Sequence, residues 1–248
     1  MKRIFSILLI LVMVVSLSAC SGGDNDDTQQ NQILSPTEDN SLQNGDDIDV
    51  SQNESEPEET AEQGSNILVA YFSRVGNTDW EDGVDAVTSA SINMENGEFV
   101  GNAEYLAKMV QEVTGGDLFL IETVDSYPSD YRQTTDQAKV EQNDDARPAL
   151  ASHVENMDQY DTIVLIYPNW WGTFPQPLFT FLEEYDFSGK TILPLCTHAG
   201  SRMGSSERDI AALCPDAALL DGLAVSGSGA VSARSDVEAW INDAGIFE

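Results

Sequence analysis

The sequence predicts an α/β domain built on a doubly wound, five-stranded parallel sheet of order 2-1-3-4-5. Two observations carry this. Short, nearly unbroken apolar runs recur five times between Ile67 and Val225, and segments with helical spacing stand between them. Strands that read apolar throughout are covered on both faces, and their alternation with helices calls for parallel crossover connections. A third observation locates the chemistry. Loops rich in Ser, Thr, Asn, Gly and Trp follow the first, third and fourth runs, where ligands of such sheets bind.

The first strand is Ile67-Leu68-Val69-Ala70-Tyr71-Phe72. Asn102–Val113 follows as a helix, with Tyr105, Leu106, Met109, Val110 and Val113 on one face and Gly115-Gly116 ending it. Leu118-Phe119-Leu120-Ile121 is the second strand and Thr162-Ile163-Val164-Leu165-Ile166-Tyr167 the third. Pro177–Tyr185 is a helix with Leu178, Phe179, Phe181 and Leu182 as its apolar positions. Thr191-Ile192-Leu193-Pro194-Leu195 makes the fourth strand, Ser206–Leu213 a helix, and Ala218-Leu219-Leu220 with Leu223-Ala224-Val225 the fifth strand. The last helix, Ser235–Ala244, opens on Ser235-Asp236-Val237-Glu238 in the manner of a side-chain cap.

Three loops gather at the carboxyl edge. Ser73-Arg74-Val75-Gly76-Asn77-Thr78 offers backbone N–H groups and hydroxyls that suit a phosphate, although the same residues build ordinary turns. Tyr167-Pro168-Asn169-Trp170-Trp171-Gly172-Thr173-Phe174-Pro175 places two indoles where a loop is half exposed. A flat aromatic ligand accounts for them, and packing beneath the loop is the alternative. Thr197-His198-Ala199-Gly200-Ser201-Arg202-Met203-Gly204 is the third.

Together these loops resemble the flavodoxin-like family, over most of residues 66–248 and including Asp186-Phe187-Ser188-Gly189-Lys190-Thr191. The resemblance implies a flavodoxin-like fold and flavin mononucleotide (FMN) as cofactor. It places the phosphate on Ser73, Val75, Gly76, Asn77 and Thr78, and the isoalloxazine beside Pro168, Asn169, Trp170, Trp171 and Gly172. Thr197, His198, Gly200 and Ser201 then face the pyrimidine edge. Ala199 departs from the glycine more usual among the relatives. The larger departure is an insert, residues 79–100, between the phosphate loop and the first helix. Val75-Gly76-Asn77-Thr78 is nearly repeated as Val100-Gly101-Asn102-Ala103 just before that helix. Either Gly101-Asn102 caps the helix and shares the phosphate site with Ser73 and Thr78, or Asn102 simply caps.

The N-terminus supplies an address. Lys2-Arg3, the apolar run from Ile4 to Val15, and Leu17-Ser18-Ala19-Cys20 resemble the signal and lipobox of bacterial lipoproteins. The run is short of the ~20 apolar residues that span a bilayer. The resemblance implies a signal peptide over residues 1–19, lipid on Cys20, and a mature chain tethered to the membrane outside the cytoplasm. Residues 20–65 read as a disordered acidic linker. Thirteen acidic residues and no lysine or arginine stand between Ser21 and Ser65, with scattered apolar residues that cannot offset chain entropy.

The chain carries 43 acidic and 11 basic residues; residues 66–248 keep 30 and nine of these, a charge near −21. That argues against nucleic acid or an anionic membrane face as a partner and is compatible with a basic protein steered by charge. His153 and His198 stand apart, so no residues have metal-ligand spacing, and no Ser/His/Asp or Cys/His set supports nucleophilic catalysis. Cys196 and Cys214 are either a permitted disulfide or two buried thiols. The expectation is a membrane-tethered, extracytoplasmic FMN-binding protein that transfers electrons through flavin to or from a quinone or protein partner. An FMN-dependent NAD(P)H:quinone-type reductase, or a flavin-binding lipoprotein without turnover, are the alternatives.

Overall fold

The computed structural model describes residues 66–80 and 90–246. The signal peptide, the lipobox with Cys20, the acidic linker and residues 81–89 of the insert lie outside the described residues. Strands β1 (Ile67–Tyr71), β4 (Asp117–Leu120), β5 (Thr162–Pro168), β6 (Thr191–His198), β7 (Ala218–Leu219) and β8 (Leu223–Ser226) form one sheet, all pairings parallel. The order is β4-β1-β5-β6-β7, with β8 continuing along the same edge of β6. This is the predicted 2-1-3-4-5 order, because β7 and β8 are two halves of the predicted fifth strand. The break has a local cause. Asp221 O accepts from Trp240 Nε1, and Gly222 N–H donates to Glu207, drawing the chain off the ladder between them.

Side chains alternate across β5. Ile163, Leu165 and Tyr167 enter a core with Phe72, Phe174, Phe181 and Ile210, whereas Val164 and Ile166 enter one with Leu106, Val110, Val237 and Ile241. Helices α1 (Asn102–Thr114) and α5 (Arg234–Asp243) therefore cover one face, and α3 (Gln176–Glu184) and α4 (Ser206–Leu213) the other. This explains the strand sequences: both faces are buried, so polar alternation is absent.

The helix ends refine the sequence reading. Gly115 closes α1 in the left-handed region (φ 69°), its N–H bonding to Gln111 O. Helix α5 starts two residues earlier than its Ser-x-x-Glu pattern suggests. Its N-cap is Ala233, without a side-chain cap, and Ser235 lies inside the helix.

Two elements add to the predicted set. An antiparallel hairpin, β2 (Ile92–Glu95) with β3 (Glu98–Gly101), ends the insert and turns on Asn96-Gly97, both at positive φ (52° and 87°). Helix α2 (Tyr131–Asn143) follows β4, capped by Asp130, whose carboxylate accepts from Gln133 N–H at 2.8 Å. Only Thr134 and Ala138 of this helix are buried.

Candidate functional site

A cavity of about 530 Å³ opens at the carboxyl edge of the sheet. The loop after β5 gives it Asn169, Trp170, Trp171 and Gly172, and the loop after β6 gives Ala199 and Ser201. Its remaining walls are Arg74, Ala90 and Ser91, and the face of α2 carrying Tyr131, Thr134, Thr135 and Ala138.

The two loops are fastened to each other. Asn169 Nδ2 donates to Arg202 O (2.9 Å), Asn169 Oδ1 accepts from Gly172 N–H (3.0 Å), and Ser205 N–H donates to Gly172 O (2.7 Å). Asp209 of α4 holds both, accepting from Thr173 Oγ1 and Ser205 Oγ at 2.7 Å each. Such an approach requires glycine at 204: a Cβ there would stand 2.1 Å from Gly172 O, and the backbone has φ +60°.

The two indoles have different surroundings. Trp170 packs edge-on to Phe72 (5.5 Å) and Tyr127 (5.2 Å), and its Nε1–H donates to Ser91 Oγ (2.8 Å). The cavity wall it forms is thus rigid, and both expected roles, core packing and cavity lining, fall to the same ring. Trp171 is half exposed and held in the left-handed region (φ 55°), which costs a bulky residue about 1–2 kcal/mol. Its indole N–H donates to Thr135 O, and its carbonyl accepts from Gln142 Nε2.

The loop after β1 is positioned otherwise than the sequence suggests. Asn77 uses its whole amide internally. Nδ2 donates to Ser73 O and Ile121 O, and Oδ1 accepts from Thr123 N–H and Oγ1, at 2.8–3.1 Å. It staples the loop to the end of β4, and Gly76 beside it takes φ +98° against Leu120. Val75 is half-buried in the same turn. Ser73 and Thr78 are different: their hydroxyls are buried and have no hydrogen-bond partner among the described residues. Thr197, at the end of β6 and fully buried, has the same condition.

Gly101, rather than Asn102, is the N-cap of α1, and no side chain caps it. Asn102 is the first helical residue; its amide N–H donates to Ser91 O (2.9 Å) and its Nδ2 to Ala90 O (3.2 Å). It thereby lays the end of the insert across the start of the helix. Gly101 lies directly against Ser73, since a Cβ on Gly101 would overlap Ser73 Oγ at 2.0 Å. The first and second Gly-Asn pairs therefore meet through Ser73.

Arg74, only 1% exposed, anchors α2 to the site. Its Nη2 donates to Pro128 O, Ser129 O and Thr134 Oγ1 at 2.8–3.0 Å, and its guanidinium lies 5.2 Å from the Trp80 centroid. Burial pulls its pKa below the ordinary arginine value, with Asp130 and Tyr131 opposing.

His198 is buried at the tip of β6, where its Nδ1 accepts from Gly200 N–H (2.9 Å). That leaves the ring proton on Nε2. Burial, then the nearby Arg202 charge, holds its pKa below 6.5, so the ring is neutral at pH 7. Cys196 and Cys214 are buried free thiols, their pKa values pushed by burial to about 12 and about 11. Among the described residues no group of His, Cys, Asp or Glu has the arrangement of a metal site.

Of the residues expected around a cofactor, Asn169, Trp170, Trp171, Gly172 and Ser201 share the cavity wall. Ser73 and Thr78 lie buried in the loop after β1, Thr197 and His198 at the end of β6, Pro168 is buried at the end of β5, and Gly200 is exposed at φ +120°. Sequence reading missed the α2 face and Ser91. Asp130 with Gln133 was a legible cap, but no apolar stripe followed it.

The family model described as flavodoxin matches residues 97–244. Solved structures with similar folds include a candidate flavoprotein from Bacteroides eggerthii, at 28% identity and a TM-score of 0.56, covering 73% of this chain and 98% of that one. A second, from Bacteroides uniformis, has 28% identity and a TM-score of 0.55, covering 72% and 99%. A flavoprotein in complex with FMN from Lactobacillus acidophilus has 17% identity and a TM-score of 0.46, covering 68% and 97%. Comparison with curated proteins found no match.

Proposed function

The chain belongs to the flavodoxin family, and from that premise we propose that it is an FMN-binding redox protein, tethered to the membrane outside the cytoplasm through lipid on Cys20. The observation that carries the cofactor is the set of three buried hydroxyls, Ser73 and Thr78 in the loop after β1 and Thr197 at the end of β6, that have no partner among the described residues. Buried polar groups are nearly always satisfied, so hydroxyls left open at a ligand-binding edge fit an absent polar ligand. The cofactor needs a phosphate site, a flat slot and donors for its pyrimidine edge, and this edge has residues of each kind.

FMN, when bound, supplies one- and two-electron transfer; the protein's part is to hold and tune it. Ser73 and Thr78 would donate to the phosphate, helped by the positive end of α1, whose start lies against Ser73. Trp170 presents a fixed indole to the ring, and Thr197 Oγ1 a donor to its polar edge. His198 Nδ1 is occupied by Gly200 N–H, so this residue contributes a neutral ring whose one proton is on Nε2. The charge near −21 on the domain resists added negative charge on the ring and lowers the potential of its second electron.

The tether rests on the lipobox ending at Cys20. An acidic linker without basic residues gives the domain reach along the membrane and a high effective concentration there. Soluble nicotinamide nucleotides are scarce in that compartment, which favours quinone or protein partners. The experiment is the absorption spectrum of the purified protein, titration with FMN, and metabolic labelling with palmitate in the wild type and in Cys20→Ser. Flavin bands, saturable FMN binding and label lost in Cys20→Ser are expected. Colourless protein that leaves FMN fluorescence unquenched refutes the cofactor, and label retained in Cys20→Ser refutes the tether.

A further inference from the structure

The insert before α1 is tied to the site at both of its ends. At its start, Trp80 lies against Phe99 of β3, with ring centroids 4.8 Å apart, and 5.2 Å from the Arg74 guanidinium. At its end, the Asn96-Gly97 turn fixes the register of β2 on β3 and pairs Ile92 with Gly101. One position further along that register Ser91 meets Asn102, the first residue of α1, and its carbonyl accepts the Asn102 N–H (2.9 Å). A slip of one residue would turn each side chain of the strand to the opposite face, so the turn also decides where the Ser91 hydroxyl points.

That hydroxyl accepts from Trp170 Nε1–H at 2.8 Å, and Ser91, only 4% exposed, lines the cavity beside the indole. One residue thus holds the cavity wall with its side chain and the start of α1 with its backbone. Phe72 and Tyr127 pack on the same indole, but apolar contact fixes where a ring sits with little angular preference. A hydrogen bond is strongest near linearity, so the bond to Ser91 sets the rotation of the indole against those two rings. Without that acceptor the indole N–H is left unsatisfied or the ring turns, and the wall moves. We infer that Ser91 is a positioning residue of the cofactor site, acting on the flavin ring through Trp170, and that the insert is thereby part of that site. The ligand in this role is the flavin of the FMN reading, on which the inference rests, whereas the bond between Ser91 and Trp170 is independent of it.

The test is a double-mutant cycle on the full-length protein, made of Ser91→Ala, Trp170→Phe and the pair, with FMN and riboflavin titrated against each. Ser91→Ala is expected to raise both Kd values about fivefold, equally, because the ring is common to the two ligands and the phosphate is not. On the Trp170→Phe background, which lacks the indole N–H, the same substitution should change either Kd by less than about twofold. In flavin-free protein, hydrogen exchange at the Trp170 indole N–H, followed by NMR, should be about tenfold faster in Ser91→Ala. Of the signals from the four tryptophans, the one lost in Trp170→Phe identifies it. Unchanged flavin affinity in Ser91→Ala overturns the inference, even with faster indole exchange, and leaves the cofactor reading standing. An equal loss on both backgrounds also overturns it, since Ser91 would then act otherwise than through the indole. A wild type that binds neither flavin refutes the cofactor reading and the inference with it.

Discussion

Gly204→Ala is the substitution that the site should tolerate least for its size. A Cβ at this position would stand 2.1 Å from Gly172 O, 2.8 Å from Gly172 C and 2.9 Å from Asn169 Nδ2. Two of these are backbone atoms, so relief requires the loops after β5 and β6 to part, breaking the bonds from Asn169 to Arg202 O and from Ser205 to Gly172 O. The conformational cost of alanine at φ +60° is about 1–2 kcal/mol, and that of forcing a methyl into packed backbone about 1–3 kcal/mol. With a urea slope of about 2 kcal/mol per M, a loss of about 2–5 kcal/mol lowers the unfolding midpoint by about 1–2.5 M. Gly189→Ala supplies the control. It also has positive φ (+76°), but nothing lies within 4 Å of the added carbon, so only the conformational cost remains. Urea unfolding and FMN titration of both variants give the assay. Gly204→Ala should lose clearly more stability than Gly189→Ala and bind FMN about tenfold more weakly, equivalent to about 1.4 kcal/mol. Equal midpoints for the two variants with FMN affinity intact would refute the idea that contact between these loops shapes the site.

Other outcomes follow from the same geometry. Asn77→Ala removes four buried hydrogen bonds and should cost about 2–4 kcal/mol in urea unfolding, yet leave the preference for FMN over riboflavin unchanged in the folded variant. Trp170→Ala, which empties a ring packed on Phe72 and Tyr127, should cost about 3 kcal/mol of stability, whereas exposed Trp171→Ala should cost under about 1 kcal/mol. Each should weaken flavin by about 1 kcal/mol if both indoles touch the ring, as calorimetric titration would show. The pKa of His198 is depressed by burial and by Arg202, so the unfolded chain binds this proton more readily than the fold does. Its contribution is complete above about pH 6.5 and is lost as pH falls below that toward the folded-state pKa. The drop in urea midpoint from about pH 7.5 to about pH 5.5 should therefore be smaller in His198→Gln than in the wild type.

The sheet was legible because its strands are buried on both faces: Ile163 to Tyr167 reads apolar at every position while feeding two separate cores. Helix α2 was not legible, because it buries only Thr134 and Ala138 and presents the rest to solvent or to the cavity. Periodicity reports burial against a core, and a helix that serves as a cavity wall leaves little of that signal. The hairpin before α1 did leave one, in Asn96-Gly97 between Met94 and Phe99, but its strands are four residues each and carry glutamates. Within the site, residue type pointed correctly to the edge and to Asn169–Gly172. It could not separate Asn77, whose amide is satisfied internally, from Ser73 and Thr78, whose hydroxyls are open. That distinction depends on Ile121 and Thr123, more than forty residues away.

Paired titration with FMN and riboflavin, in the wild type and in Ser73→Ala/Thr78→Ala, tests the central claim most directly. Removing two buried hydroxyls that have no partner among the described residues should leave urea stability unchanged or slightly raised. The double variant should bind FMN about tenfold or more weakly and riboflavin as the wild type does, because only FMN brings a phosphate to these hydroxyls. Equal affinity of wild type and variant for FMN would contradict the account.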